Sequence, residues 1–467
     1  MTPAALTEQQ VFETFAPARP RLSRVQRLRP VTWIFSFVLI EIVCQLALLS
    51  SAIGPFRQVA RSLAFGASLL WLVVLFRRTQ QHPAVKAVVF VLVILAMELV
   101  FHPNTNSLKA GVAQLVMYTA ILAPVIWATS LAIDGATFRK LVLLVWSFQV
   151  ISSALGVLQV YFPGRFQPNL STAVSALGKT YMRGLEIETA KGQRVFRPMG
   201  LTDLPGGAAV AGVYAGLFGI GFLLSERKAA LRWLAGGGVL AGLTCIYLSQ
   251  VRVYVIMFAL CALVICGVLV LRRDTKRVTA ILLLMPLVIG VSFVWAFTVG
   301  GKSMLDRLQT LVKDDPGKVY YKNRGLYLEH TAQEMAPKYY LGAGLGRWGM
   351  MNSYFGNTSD DPERGRIWVE VQWTGWLLDG GIPLMIGYAA ALGVAIWTTF
   401  RIARLRGAGP IWLWGAIVLA YDVGILAMTF GSIPFIGQQG MEFWMLNAAL
   451  FAAARTEIAR RKALVAA

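Results

Sequence analysis

Cysteine, histidine and acidic residues are scarce in this chain. Its 467 residues include 4 cysteines, 3 histidines and 23 Asp and Glu, against 44 Lys and Arg. The cysteines (Cys44, Cys245, Cys261 and Cys266) all lie in apolar stretches without a C-x-x-C pair. They therefore predict core thiols rather than disulfides or metal ligands. No spacing of His, Cys, Asp or Glu is typical of a metal site, so we predict a chain without metal or cofactor.

Hydrophobic residues, by contrast, are abundant. They make up 57% of the chain and charged residues only 14%, which is typical of a polytopic membrane protein rather than a soluble one. About a dozen apolar stretches recur, each close to the ~20 residues with which a helix crosses ~30 Å of hydrocarbon. We predict an all-α integral membrane protein with about 12 transmembrane helices. The predicted spans are residues 31–51, 60–76, 84–101, 110–132, 141–162, 206–224, 232–249, 253–271, 278–299, 371–398, 409–430 and 438–454.

Two stretches between the spans, residues 163–205 and 300–370, are too long and too charged to lie in lipid. Within the second, apolar residues recur at helical spacing over Asn323–Lys338, which predicts an amphipathic helix over the mouth of the bundle. The segment Asn352–Gly365 is rich in Asn, Ser, Asp and Gly and predicts a mobile, lid-like loop. We expect the functional residues on the membrane face that carries these two loops.

The distribution of basic residues predicts the orientation. Of the Lys and Arg residues, 24 fall in seven short segments that share one side, namely residues 1–30, 77–86, 133–140, 225–232, 272–277, 399–407 and 455–467. This asymmetry predicts that both tails, residues 1–30 and 455–467, lie in the cytoplasm. The membrane domain between them is residues 31–454. Part of the formal net charge of +21 comes from Lys and Arg residues in the two long loops, which we predict to face outward. Their charge favours an anionic ligand outside the membrane over nucleic acid.

The first candidate site lies directly before the sixth predicted span, between Arg194 and Gly206. Arg197 is followed by Gly200 and a Gly/Pro-rich turn into the helix. A guanidinium fork, free backbone N–H groups and a helix N-terminus together form an anion site. The alternative is an interfacial arginine that contacts lipid phosphate.

The second candidate site is the short connection Ser249-Gln-Val-Arg252 between the seventh and eighth spans. Arg252 must lie at or just within the outer membrane boundary. An arginine there is costly unless it is paired, so it is a candidate functional residue. The alternative is that its side chain reaches outward to lipid head groups.

The third candidate site runs through Leu341-Gly-Ala-Gly-Leu-Gly-Arg-Trp-Gly349 and on to Glu370. The Gly-x-Gly-x-Gly piece has no βαβ context, so we interpret it as a turn that brings backbone close to a lipid-linked phosphate or sugar. Glu370 precedes the next span and is either a general base facing the two arginines or a simple helix cap. His330, in the second long loop, is interpreted as interfacial, with catalysis as the alternative.

In this order, the three sites resemble the O-antigen ligase and polymerase superfamily of polytopic membrane glycosyltransferases. The resemblance covers roughly residues 110–400 and includes the span that passes Gly381. The family's last motif normally reads His-Asn-x9-Gly-x-x-Gly. In this chain Glu370 occupies the histidine position, Val371 the asparagine position, and Leu384 replaces the final small residue. The absent His-Asn pair favours a polymerase over a ligase.

The resemblance implies an inverting, metal-independent transfer of a glycan from an undecaprenyl-diphosphate donor to a sugar hydroxyl. The acceptor would be a glycolipid (the lipid A core) in a ligase and a lipid-linked repeat unit in a polymerase. The reaction would take place on the periplasmic face of the bacterial inner membrane. The other implied partners are the lipid bilayer and polysaccharide assembly proteins. The implied catalytic residues are Arg197, Arg252 and Glu370. The candidate substrate-binding residues are Arg194, Gly200, Ser249, Arg324, Gly344, Gly346, Arg347, Trp348, Gln372 and Trp373.

Two other functions fit the same sequence. A secondary transporter or flippase for an anionic, lipid-linked substrate would use the same arginines for binding. It would use Glu41 or Asp422, which lie within spans, for coupling. The long outer loops favour the enzyme, and no inverted repeat is visible. A structural subunit of an envelope complex is the third alternative.

Overall fold

A computed structural model of the chain describes residues 30–76, 81–168, 170, 179–313, 315–357, 363–405 and 409–466. The predicted N-terminal tail therefore lies almost wholly outside the described residues. So does the centre of the predicted lid at Asn352–Gly365.

The described part of the molecule contains twelve long helices, which we call α1 to α12. They are α1 (Pro30–Ala47), α2 (Arg57–Leu75), α3 (Val85–Phe101), α4 (Leu108–Leu122), α5 (Gly135–Tyr161), α6 (Ala208–Ser225), α7 (Ala229–Ser249), α8 (Arg252–Leu271), α9 (Thr275–Lys313), α10 (Gln372–Arg404), α11 (Ile411–Met428) and α12 (Gln438–Ala466).

Short elements join these helices. The short α-helices are Pro124–Trp127, Pro163–Phe166, Lys179–Gly184, Pro316–Tyr320, Leu326–His330, Ala336–Lys338 and Gly349–Phe355. Single 3-10 turns form at Ser51–Phe56, Ala128–Ser130 and Pro434–Ile436, and π-helical turns form at Tyr321–Gly325 and Thr331–Met335. Strands β1 (Glu186–Glu188) and β2 (Arg194–Phe196) pair antiparallel, with Ile187 opposite Val195.

The helical, membrane-protein part of the prediction is confirmed. Among the described residues, nine helices are long and apolar enough to cross a membrane: α2, α4 with its continuation to Ser130, and α5 to α11. Helices also form at the other three predicted spans, as α1, α3 and α12. The amphipathic helix predicted over Asn323–Lys338 lies within a run of helical turns from Pro316 to Lys338.

The loops that follow α1, α3, α5, α7, α9 and α11 meet at one end of the bundle, which we call the loop end. Contacts between distant loops establish this. Asn106, after α3, donates a 3.1 Å hydrogen bond from Nδ2 to the carbonyl of Asn357. Arg61, near the start of α2, donates to Asp203 in the first long loop at 2.7 Å and to the hydroxyl of Tyr354 in the second long loop at 3.2 Å. Both predicted long loops therefore lie on the same face.

The core is centred on α6, which packs against α5, α7, α8 and α11. Glycines permit the closest approach. A Cβ added at Gly212 would lie 2.6 Å from the carbonyl oxygen of Gly242, and one at Gly242 would lie 2.6 Å from that of Gly212. Helices in lipid pack closely through such small residues. Gly236 and Gly237 of α7, by contrast, have nothing within 4 Å of an added Cβ.

Two long helices break at glycines near the loop end. Gly301 interrupts α9 with φ 60°, and Gly381 interrupts α10 with φ 66°. At the second break, backbone groups of α10 form hydrogen bonds with the segment 340–343 instead of with the helix itself. The N–H of Ile382 donates to the carbonyl of Tyr340 at 2.9 Å, and that of Ala343 donates to the carbonyl of Leu378 at 2.7 Å. The second long loop is therefore fixed to α10.

Candidate functional site

Arg197 follows β2 and enters the turn that begins α6. Its backbone N–H donates to the carbonyl of Leu185 at 2.9 Å, which continues the hairpin by one residue. The half-buried side chain passes Gly206, where an added Cβ would lie 3.9 Å from Arg197 Cδ and 3.6 Å from Val251 Cγ2. Gly206 has φ 86°, a conformation that favours glycine. The turn thus brings Arg197 against the α7–α8 connection.

Arg252 is the first residue of α8 and is half-buried. Gln250 ends α7 in the left-handed region with φ 54°, and its Nε2 donates to Ser303 Oγ at 3.3 Å. This contact places the start of α8 beside the part of α9 that follows the Gly301 break. That part of α9 carries Arg307.

Arg307 joins the two predicted arginines. Burial lowers the pKa of Arg197, and the positive charge of Arg307 lowers it further. Arg252 in turn acts electrostatically on Arg307. We call Arg197, Arg252 and Arg307 the arginine cluster. Three cations held together, one of them with a buried Nε that has no hydrogen-bond partner among the described residues, favour an anionic ligand.

Sequence reasoning missed Arg307. It is one of ten basic residues in the 300–370 stretch and has no motif around it. The signal that was available is its position shortly after Gly301, the glycine that interrupts α9.

Glu370 lies immediately before α10 and forms an ion pair with Arg324 of the second long loop. Its other carboxylate oxygen accepts a 2.6 Å hydrogen bond from Trp368 Nε1. Arg324, predicted to bind substrate, is thus the partner of the predicted base. Which of these residues contacts a substrate stays a prediction.

The start of α10 is linked to the start of α8 through the loop after α11. The N–H of Gln372 donates to the carbonyls of Thr429 and Ser432 at 3.1 and 3.0 Å. An added Cβ at Gly431 would lie 3.8 Å from Cγ2 of Val253, next to Arg252. Glu370 and the arginine cluster therefore lie at the same end of the bundle. The loop after α11 connects them, because it contacts both the start of α10 and the start of α8.

Gln372 and Trp373 are both engaged within the chain. Gln372 is fully buried, and its Oε1 accepts from the N–H of Phe435 at 2.9 Å. Trp373 Nε1 donates to Thr429 Oγ1 at 3.0 Å. Both side chains anchor α10 to the loop after α11.

The glycine-rich segment 341–349 packs against the α3–α4 connection. An added Cβ would lie 2.4 Å from the carbonyl oxygen of Asn104 at Gly344 and 2.6 Å from Ala110 Cβ at Gly346. Arg347 is 2% exposed and donates to the carbonyls of Gly365 and Ala343 at 3.0 and 3.1 Å. The close approach predicted for these glycines is thus made to the chain's own backbone.

Trp348 and Gly200 are likewise packed inside the protein. Trp348 is 1% exposed and lies against Gly375, where an added Cβ would be 2.5 Å from its ring. Gly200 has φ 62°, and both its N–H and its carbonyl bind the side-chain amide of Gln159 in α5, at 2.8 and 2.9 Å. Both residues therefore stabilise the packing of the protein around the candidate site.

Ser249 and Arg194 have different surroundings. Ser249 is buried, donates from Oγ to the carbonyl of Ile246 at 2.6 Å and accepts from the N–H of Val251 at 3.2 Å, so it caps α7. Arg194 is exposed in β2, opposite Glu188. Of the two, only Arg194 presents its side chain to solvent.

His330 and Asp422 each have a partner outside the arginine cluster. His330 is exposed and contacts Glu334 at 3.1 Å on the loop helix. Asp422, inside α11, accepts a 2.8 Å hydrogen bond from Asn447 of α12. In the described part of the chain, no group of three or more His, Cys, Asp or Glu side chains is placed to hold a metal ion.

A comparison of the sequence with models of known protein families found no match, and neither did one with curated proteins. The geometry of the loop end therefore carries the functional argument.

Proposed function

We propose that this chain is a glycosyltransferase whose active site is at the loop end and faces the periplasm. It would transfer a glycan from an undecaprenyl-diphosphate donor to a sugar hydroxyl. Membership of the O-antigen ligase and polymerase superfamily, suggested by the resemblance of the motifs, is part of this proposal.

The observation that carries the proposal is the arginine cluster. Three guanidinium groups from the turn before α6, the start of α8 and the last part of α9 lie together at the loop end of the bundle. A diphosphate attached to a membrane lipid would lie at such a helix end and carries the charge that this cluster stabilises. Arginine forks bind phosphate oxygens in pairs, which positions the donor and stabilises the departing group.

Glu370 supplies the base in this proposal. The acceptor oxygen attacks the anomeric carbon of the donor sugar while the bond from that carbon to the phosphate oxygen breaks. The diphosphate leaves with the electron pair and is stabilised by the arginine cluster. The proton of the acceptor hydroxyl passes to Glu370, and configuration at the anomeric carbon inverts. Arg324 and Trp368 orient the carboxylate for this step.

A transporter or flippase for the same lipid-linked anion is the second candidate, because a buried carboxylate pair lies within the bundle. Glu41 of α1 is 3% exposed, and its Oε1 has no hydrogen-bond partner among the described residues. Glu442 of α12 acts on it electrostatically. A coupled transporter would use such a pair for protons.

The deciding experiment is reconstitution of the purified chain in liposomes with a synthetic undecaprenyl-diphosphate oligosaccharide and lipid A core. We expect release of undecaprenyl diphosphate together with a lengthened glycan, measured by mass spectrometry. A product on lipid A core identifies a ligase, and a product on a second lipid-linked unit identifies a polymerase. Movement of the intact donor between leaflets without any release would overturn the enzyme and support the transporter.

A further inference from the structure

A cavity of about 1020 Å³ lies at the loop end of α3, apart from the arginine cluster. It is bounded by the last turns of α3, by the segment 338–343 where that segment crosses the break in α10, and by Pro383 beyond the break. None of the site residues discussed above lines it except Arg347, whose Nε and Nη1 hydrogen bonds are to the chain itself.

The wall of this cavity is divided by depth. On the α3 side it is apolar, formed by Ile94, Met97 and Phe101, of which Met97 is 55% and Phe101 74% exposed. Towards the loops, Asn104, Lys338 and Glu363 add polar groups beside Tyr339, Tyr340 and Leu341. An apolar wall on α3 with polar groups at the loops fits a molecule with hydrocarbon chains and a polar head group.

Glu98 is the exception within the apolar wall. Its Oε2 is shielded from solvent and has no hydrogen-bond partner among the described residues, although it lies where a Cβ on Gly342 would be only 2.9 Å away. A buried acceptor without a donor is unfavourable. The side chain as a whole is half-buried and lines the cavity, so a ligand that brings a donor to this carboxylate would offset that cost.

The remaining polar groups indicate what kind of donor fits. His102 is held by the chain: Nδ1 accepts from the N–H of Asn104 at 3.1 Å and Nε2 lies 3.3 Å from the carbonyl of Gly342. Glu363 and Arg347 also line the cavity, so its acidic and basic residues are equal in number. Lys338, a donor, lies on the same wall as the acceptor Glu98. A hydroxyl group both donates and accepts, so a polyhydroxyl head group satisfies both residues. A head group of one charge would be repelled by one of them.

We propose that this cavity binds the neutral, sugar-bearing head group of a membrane glycolipid, with Glu98 accepting a hydrogen bond from a sugar hydroxyl. The α3 wall holds the beginning of the lipid's chains. That this cavity holds the acceptor of the enzyme rests on the proposed function. That it binds a glycolipid does not.

The test measures binding alone, so its failure is distinguishable from failure of the proposed activity. The full chain, in a detergent without sugar groups, is titrated with monoglucosyl-dioleoylglycerol and followed by native mass spectrometry. Dioleoylglycerol, which has the same chains without the sugar, and dioleoylphosphatidylglycerol are the comparison lipids. We expect the glucosyl lipid to bind about tenfold more tightly than either, an effect of the size that one hydrogen bond contributes.

Two variants locate the site. Glu98→Met keeps the length of the side chain without its acceptor and should abolish the preference for the glucosyl lipid. Met97→Trp, at an exposed position, fills the cavity and should weaken all binding there even if Glu98→Met fails to fold. The matched control is Glu334→Met, since the Glu334 side chain is 72% exposed and outside the cavity. Equal binding of the three lipids, a preference for phosphatidylglycerol, an unchanged preference in folded Glu98→Met, or undiminished binding of the glucosyl lipid to Met97→Trp would each overturn the proposal.

Discussion

Arg324 and Glu370, 46 residues apart in the chain, form an ion pair directly before α10. Their side chains are 37% and 20% exposed, so water still reaches the pair. Trp368 donates to the other oxygen of the same carboxylate at 2.6 Å. Both oxygens of Glu370 are therefore oriented before any substrate arrives, which suits a group that must face one hydroxyl.

The first prediction separates the chemical role of Glu370 from its structural role. Glu370→Gln keeps the size of the side chain but removes the base, so glycan transfer should be lost and donor binding retained. A partly exposed ion pair contributes only about 0–1 kcal/mol to stability, so the melting temperature in detergent should change little.

The matched variant is Arg324→Gln, which breaks the same pair and leaves the carboxylate. It should retain part of the transfer activity, because the base is still present but less well oriented. If Glu370→Gln transfers glycan as well as the parent chain does, the base lies elsewhere, and His330 is the next residue to test.

The second prediction concerns the arginine cluster. Arg197→Lys and Arg252→Lys keep the charge but lose the planar fork, which a lysine does not replace at a diphosphate. Arg307→Gln removes a charge that no sequence motif pointed to. Each variant should weaken donor binding by about 10–100-fold, the cost of losing one charged hydrogen bond.

The control for this series is Arg183→Lys, an exposed arginine of the first long loop. Donor binding is measured by titration of the folded, detergent-purified variants. If the three cluster variants bind the donor as tightly as Arg183→Lys does, the arginines contact only lipid head groups.

Apolar stretches of span length predicted where the helices lie, because burying apolar residues in lipid and satisfying every backbone group both require a helix. They predicted helix ends less well. The fifth span was predicted from residue 141, whereas α5 begins at Gly135, since Asp134 accepts a 2.7 Å hydrogen bond from the N–H of Thr137 and caps the helix. The α12 helix likewise continues to Ala466 through charged turns. Hydropathy marks where lipid ends rather than where a helix ends.

The candidate site was predicted in part. Arg197 precedes a Gly/Pro-rich turn and Arg252 follows the short Ser249–Val251 turn. Both turns mark helix ends, and helix ends can be located from sequence. Arg307 and the pairing of Arg324 with Glu370 depend on how a long loop folds back. The direction of that fold-back is set by contacts such as that of Gly344 with Asn104, some 240 residues apart. Local sequence patterns carry no information about such contacts.

The third prediction concerns His82, which is 2% exposed before α3. Burial lowers its pKa from 6.5 to about 3. The unfolded chain therefore binds a proton between these values that the folded chain does not, so stability falls as the pH falls from about 6.5 towards 3. Above pH 6.5 both states are neutral, and His82 adds no pH dependence.

The measurement is the melting temperature of the detergent-purified chain across this pH range. His82 Nδ1 accepts a 3.1 Å hydrogen bond from the N–H of Ala84, a contact that an Asn side chain can also make. His82→Asn should therefore flatten the pH profile while keeping the neutral-pH melting temperature within a few degrees. A profile that is unchanged by His82→Asn would assign the acid sensitivity to other groups.

The last prediction tests whether the glycines of segment 341–349 serve the fold or a ligand. Gly344, with φ 93°, and Gly349, with φ 69°, both adopt the left-handed conformation. An alanine Cβ would lie 2.4 Å from the Asn104 carbonyl oxygen at position 344 but would meet nothing within 4 Å at position 349. Gly349→Ala should therefore cost only the backbone strain of about 1–2 kcal/mol. Gly344→Ala should cost about 1–3 kcal/mol more, because backbone must move to make room. Thermal unfolding of the two variants measures the difference. Equal melting temperatures would mean that the segment does not pack against the α3–α4 connection, and its glycines would then be free to approach a substrate.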